Sequence, residues 1–96
     1  MRTAIFIAFI AIALPALADT YTGVVSDVKH FEHGGVAVDL DGKYPDQKMT
    51  LYVSARDEAT VGKLPSEGAK VTATGTVTQY RGKPEIKIHS ADQWKW

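Results

Sequence analysis

Residues 79–83 read QYRGK: an aromatic ring set beside two cations at a tight turn. Tyr80 offers a flat face, and Arg81 and Lys83 place positive charge on either side of Gly82. A single strand of nucleic acid needs this pairing, because its bases stack on aromatic rings while cations track its phosphates. The same residues also suit a bare hairpin, whose edge stays soluble when it is charged. Tyr52 and Lys87 stand at outward positions of alternating segments, and His30 and Phe31 come just before a Gly-Gly turn. Tyr52, Tyr80, Arg81, Lys83, Lys87, His30 and Phe31 are therefore the candidate ligand-binding residues.

Other groupings have less to offer. His30 and His33 flank Glu32 as an H-x-x-H pair, but a zinc site needs two further ligands and the chain has no cysteine. Solvated loop histidines are expected, with no metal and no other cofactor. Asp39, Asp41 and Asp46 surround Gly42 and Lys43 without the ligand order of a calcium loop, so a hairpin turn explains them. Arg56-Asp57-Glu58 brings catalytic acids to mind, yet acids here suit the first turn of a helix. No serine sits in a nucleophile elbow. The expectation is a protein that is not an enzyme. Trp94 is expected to pack over one end of the fold and Trp96 to be exposed, with contact to a partner or membrane surface as the alternative.

The elements that must position these side chains follow from period-two alternation, which dominates the chain. Residues 21–31 are β-rich, but Val24-Val25 followed by Val28 breaks the alternation as a bulge does. His33-Gly34-Gly35 marks a turn. Val36, Val38 and Leu40 alternate with Ala37 and Asp39 in a second strand, and Met49, Leu51 and Val53 alternate with Thr50 and Tyr52 in a third. Ser54 and Asp57 have capping-box spacing, and Gly62 closes a helix of about two turns over 55–61. Residues 69–80 form the longest strand, with Val71, Ala73, Gly75 and Val77 on one face and a bend at Gly75. After the Gly82 turn, Ile86 and Ile88 face in on a fifth strand while Glu85, Lys87 and His89 face out. Three strands, a short helix and two strands are the order of the OB-fold, a five-stranded Greek-key barrel. Another small antiparallel barrel or sandwich is the alternative.

The first eighteen residues read as an export signal. Arg2 supplies a positive charge, residues 4–14 are continuously apolar, and Ala16-Leu17-Ala18 has the small-x-small pattern of a cleavage site. An apolar run of eleven is too short to span a bilayer, which takes about 20 residues. The expected domain is therefore 19–96, periplasmic, with no membrane anchor after cleavage. Losing Arg2 leaves ten basic residues against eleven acidic, a net of −1. That excludes the strongly basic character of a general nucleic-acid binder, so any anion site must be local. Residues 70–96 carry five bases and two acids, whereas 19–41 carry five acids and one lysine. A small exported domain without disulfides must close its backbone hydrogen bonds efficiently, which a barrel does by leaving few edges.

The run from Leu64 to Trp94 resembles the fourth-to-fifth-strand segment of bacterial OB-fold domains of the nucleic-acid-binding, anticodon and helicase type. Gly68 precedes a valine strand, Gly75-Thr76-Val77 lies mid-strand, Tyr80-x-Gly82-x-Pro84 makes the hairpin, and Ser90-x-x-Gln93 ends it. "TGVVSDV" at 22–28 is similar to the first strand of that family. Small exported OB-fold proteins of Gram-negative bacteria share the layout. The resemblance implies the fold more strongly than the ligand, because the superfamily hosts nucleic-acid, sugar and protein binders.

These readings lead to an exported binding module whose partner is a single-stranded nucleic acid or another anionic polymer. The alternative is an envelope or stress module that takes a protein, glycan or small ligand on the same face.

Overall fold

The computed structural model describes residues 18–96, so the expected export signal over 1–18 lies outside the described residues but for Ala18. The chain is mostly β. Its strands are β1 (Asp19–His30), β2 (Val36–Leu40), β3 (Met49–Val53), β4 (Lys70–Gly75), β5 (Val77–Tyr80), β6 (Lys83–Lys87) and β7 (Trp94–Lys95). Among the described residues one short helix, α1 (Glu58–Val61), follows a 3-10 turn at Ala55–Asp57, and a second 3-10 turn spans Ala91–Gln93. The strands form one mixed sheet in the order β5-β6-β3-β2-β1-β4-β7. All described pairings are antiparallel except β3 with β6.

Among the described residues seven strands stand where five are expected, for two local reasons. The expected strand 69–80 is interrupted at Thr76, and its halves pair with different neighbours: β4 with β1, and β5 with β6. Trp94 and Lys95 then add a two-residue strand beside β4. The expected bulge lies in β1, whose pairing with β2 slips between Val25 and Asp27, so Ser26 has no opposite residue. Residues 19–24 of β1 pair with β4, and Val25 with residues 27–30 pairs with β2. One long strand thus serves two neighbours, since a bulge bends and twists the strand that carries it.

The core comes from the inward positions of every long strand. Val36, Val38, Leu40, Leu51, Val53, Val71, Ala73, Ile86 and Ile88 are fully buried, and Val61 of α1 joins them. Trp94 is buried against this cluster, and its ring meets that of Trp96 edge-on at 5.5 Å, while Trp96 stays exposed. Among the described residues no helix is long and apolar enough to cross a membrane.

The expected capping box at Ser54 does not form. The Ser54 hydroxyl donates to the Asp57 carboxylate at 3.0 Å instead of to a backbone N–H. The β5–β6 hairpin turns through Arg81 (φ 53°) and Gly82 (φ 78°). Two successive positive φ values make the type I′ turn, whose twist matches that of the strands it joins.

Gly75 sits where β4 passes β6. A Cβ there would stand 2.6 Å from Ile86 Cγ2 and 3.2 Å from Gln93 Nε2, so only glycine allows this approach. Gln93 bridges the gap left in the ladder. Its Nε2 donates to the carbonyls of Thr74 (3.1 Å) and Lys87 (3.0 Å), and its Oε1 accepts from the N–H groups of His89 (2.6 Å) and Ser90 (3.2 Å).

Candidate functional site

The outer face of β2, β3 and β6 forms the floor of a cleft of about 740 Å³. Strand register lays its residues in two rows. One row runs Asp27, Asp39, Thr50, Glu85, Thr78 across five strands, each residue paired with the next. The adjacent row runs Lys29, Ala37, Tyr52, Lys87. Successive residues on one face of a strand are two apart, so an acid-bearing row lies beside a cation-bearing row.

The walls are aromatic and basic. Phe31, from the β1–β2 turn, meets Tyr52 at a ring-centroid distance of 6.3 Å, tilted by 56°. Lys29 Nζ lies 5.8 Å from the ring centre of Tyr44, and the Arg81 guanidinium 5.4 Å from that of Tyr80, both within the range of cation–π attraction. Tyr44 and Tyr80 are each 58 % exposed, which leaves much of their rings free to accept a ligand. Lys83 and Lys87 complete the basic side of the cleft.

The floor is acidic and largely buried. Asp39 is 4 % exposed and accepts the Thr50 hydroxyl proton at 3.0 Å. Thr50 in turn accepts from Gln47 Nε2 at 3.1 Å. Gln47 is 6 % exposed, and its Oε1 has no hydrogen-bond partner. Glu85 is 8 % exposed beside Thr50. Burial raises the carboxyl pKa of both Asp39 and Glu85, because desolvation penalises the charged form; the Thr50 hydroxyl and, for Glu85, the charge of Lys87 oppose the rise.

Of the residues singled out in the sequence, Phe31, Tyr52, Tyr80, Arg81, Lys83 and Lys87 line this one cleft. His30 does not line it: it lies exposed at the end of β1. Glu85 is read from alternation as facing solvent. It does lie on the outer face, but its neighbours in the cleft cover it. Asp39, which alternation puts on the second strand and which also reads as part of the turn after it, lies within β2 and is buried. Lys29, Tyr44, Gln47 and Thr50 went unnoticed as site residues. Lys29, Asp39 and Thr50 carried a legible signal, since they share the outward parity of Tyr52, whereas Tyr44 and Gln47 come from the β2–β3 loop, which has no parity.

The remaining candidates take structural roles. Asp41 accepts from the Tyr21 hydroxyl (2.6 Å) and the Val24 N–H (2.9 Å), and Glu58 accepts from the Gly35 N–H at 2.5 Å. Asp57 accepts from Ser54 and bonds His89 Nδ1 at 2.8 Å through the same oxygen, with Arg56 at 3.6 Å from the other. The His89 hydrogen bond, first among its contacts, holds the Asp57 pKa below the usual carboxylate value. Ser54 and His89 thus both engage Asp57 rather than each other, which is not a nucleophile–base pair. Among the described residues no cluster of three or more His, Cys, Asp or Glu could hold a metal.

This cleft can bind and orient a ligand that presents flat surfaces and negative charge to its walls. Comparison with protein-family models and with curated proteins gives no match to this chain.

Proposed function

We propose that residues 19–96 act as an exported, non-enzymatic binding module that holds a single strand of nucleic acid, or an anionic polymer of similar shape, across the cleft. The observation that carries this reading is the pairing of exposed rings with cations on one surface: Tyr44 with Lys29, Tyr80 with Arg81, and Lys83 and Lys87 alongside. Rings accept bases without regard to sequence, and cations follow the phosphates. The net charge of −1 after loss of Arg2 is that of the whole domain, whereas four of its ten basic residues, Lys29, Arg81, Lys83 and Lys87, line the cleft.

The fold proposed with this function is the OB type, a five-stranded barrel in which β4 and β5 count as one strand broken at Thr76. Support comes from the chain itself: one residue separates β4 from β5, yet the two lie near opposite ends of the sheet order, and Gln93 joins β4 to β6 between them. Closure through that strand brings the β1–β2 and β5–β6 turns to either side of the β2–β3 face, where OB-folds bind ligands.

The test is fluorescence titration of residues 19–96 with labelled single-stranded oligonucleotides at two salt concentrations. Binding that weakens steeply with salt is expected. No binding at low salt, where electrostatic affinity is greatest, defeats the reading and favours a protein, glycan or small envelope ligand on the same face.

A further inference from the structure

The floor of the cleft and its walls offer opposite chemistry. Cations on the walls, Lys29, Arg81, Lys83 and Lys87, present only hydrogen-bond donors. Apart from the second Nε2 proton of Gln47, the buried groups of the floor present acceptors. Thr50 has one hydroxyl proton, and it goes to Asp39. Its oxygen must therefore accept from Gln47, which fixes the Gln47 amide with Nε2 toward Thr50 and leaves Oε1 unpaired. Asp39 and Glu85 flank Thr50 in the same row, and no hydrogen bond to the Glu85 carboxyl is found among the described residues. A buried acceptor without a donor is costly to maintain, so this floor is complementary to a ligand that brings donors.

A free cation would meet those acceptors but would be repelled by the lysines and arginine around them. A purely anionic group would suit the walls and be repelled by the floor. Both layers are satisfied by a flat ring with adjacent N–H donors attached to a phosphate chain. Guanine presents such an edge, with its ring N–H next to its exocyclic amino group. Thymine and uracil offer one N–H between two carbonyls, which sets acceptor against acceptor. Adenine and cytosine offer an amino group beside a ring acceptor and fall between.

We propose that the cleft discriminates among bases: Gln47, Asp39 and Glu85 select guanine over thymine in a bound single strand. The proposal rests on the single-strand reading above and adds a preference that the stacking rings and cations alone would not produce.

The experiment compares three labelled strands, each titrated into residues 19–96 at low salt: ten thymidines, the same strand with one central guanine, and the same strand with hypoxanthine there. Guanine is expected to tighten binding by at least about tenfold, the discrimination typical of a good bidentate base contact. Hypoxanthine, which lacks the exocyclic amino group, is expected to lie between the other two. Gln47→Met fills the space without an acceptor, and Asp39→Asn keeps the acceptor to Thr50 while removing charge. Each should lower the ratio of guanine-strand to thymidine-strand affinity toward one, whatever the loss of the Asp39 charge does to both strands, with unfolding curves confirming that the variants fold. Equal affinity for guanine and thymidine strands overturns the base preference and leaves the single-strand reading standing. Variants that shift both strands equally also overturn the role of the floor. If no strand binds, the single-strand reading itself falls.

Discussion

The Tyr21 hydroxyl donates to Asp41 Oδ2 across 2.6 Å, which ties the first half of β1 to the turn leaving β2. The second Asp41 oxygen accepts from the Val24 N–H, and a Cβ on Gly23 would stand 2.6 Å from the same carboxylate. Next to it the Gly42 N–H donates to the hydroxyl of Ser26, the bulged residue, at 2.7 Å. Together these bonds hold the bulge that lets β1 serve both β4 and β2.

That contact leaves a spectroscopic mark. Burial, then the hydrogen bond and charge of Asp41, push the Tyr21 phenol from 10.0 up to about 12. Alkaline absorbance titration should show one of the four tyrosines ionising late, and Tyr21→Phe should remove that late step. The stability linked to this phenol is present below 10.0 and lost as pH rises through about 12. A single step at the ordinary value in wild type would show that the clasp does not persist in solution.

Asp41 and Asp39 should pull the pH profile of stability in opposite directions. The Tyr21 hydrogen bond, helped by the Val24 N–H, lowers the Asp41 pKa from 3.8, so its contribution is present above 3.8 and lost as pH falls through the lowered value. Burial raises the Asp39 pKa from 3.8, so the folded state holds its proton longer and stability is lost as pH rises from 3.8 through the raised value. Thermal midpoints measured from about pH 3 to about pH 8 should show Asp39→Asn flattening the decline toward neutral pH. Asp41→Asn should lower the midpoint at neutral pH and flatten the acid limb. Variant curves that run parallel to wild type would contradict both assignments.

Gln93 is expected to matter more than a half-buried surface glutamine normally does. Gln93→Ala strands the carbonyls of Thr74 and Lys87 and the N–H of His89, and should cost about 1–3 kcal/mol in denaturant unfolding. Gln93→Glu keeps the acceptor but sets a carboxylate oxygen against the Thr74 and Lys87 carbonyls, so it should cost at least as much. Gly75→Ala, which forces a methyl into Ile86, should cost about 1–3 kcal/mol by overpacking. Losses within a few tenths of a kcal/mol would mean that β4 and β6 hold together without this bridge.

Binding itself should respond to the rings and the charges in different ways. Tyr80→Ala is expected to lose about 1–3 kcal/mol of affinity for a single strand, the usual size of a base–aromatic stack. Arg81→Ala and Lys83→Ala should each flatten the salt dependence by about one unit of slope for the phosphate contact removed. His30→Ala, away from the cleft, serves as the control and should change neither.

Export can be checked by mass. The small-x-small pattern at Ala16-Leu17-Ala18 predicts a mature N-terminus at Asp19. Intact-mass measurement of the chain recovered from a periplasmic fraction should find it there, and Met1 retained in a membrane fraction would refute cleavage.

Much of the architecture was legible in the sequence because period-two alternation reports directly which residues share a strand face. The spans of β2 and β3, the inward set of Val38, Leu51, Val71, Ile86 and Ile88, the bulge in β1 and the Gly82 hairpin are all local consequences of side-chain order and backbone sterics, whereas Val77, expected to be buried with that set, is only partly buried. The walls of the cleft could be anticipated for the same reason, since Tyr52, Tyr80, Arg81, Lys83 and Lys87 lie at outward or turn positions. Tertiary structure alone decided what covers that outward face. Alternation cannot distinguish an outward residue in water from one covered by its neighbours, so Glu85 reads as facing out although it is buried, as is Asp39. The interruption at Thr76 and the use of Gln93 as a bridge depend on contacts with Ile86, Thr74 and Lys87, residues brought together only when the sheet curves. Gln47 comes from a loop without periodicity, and its unpaired oxygen exists only because β2 and β3 place Asp39 and Thr50 beside it.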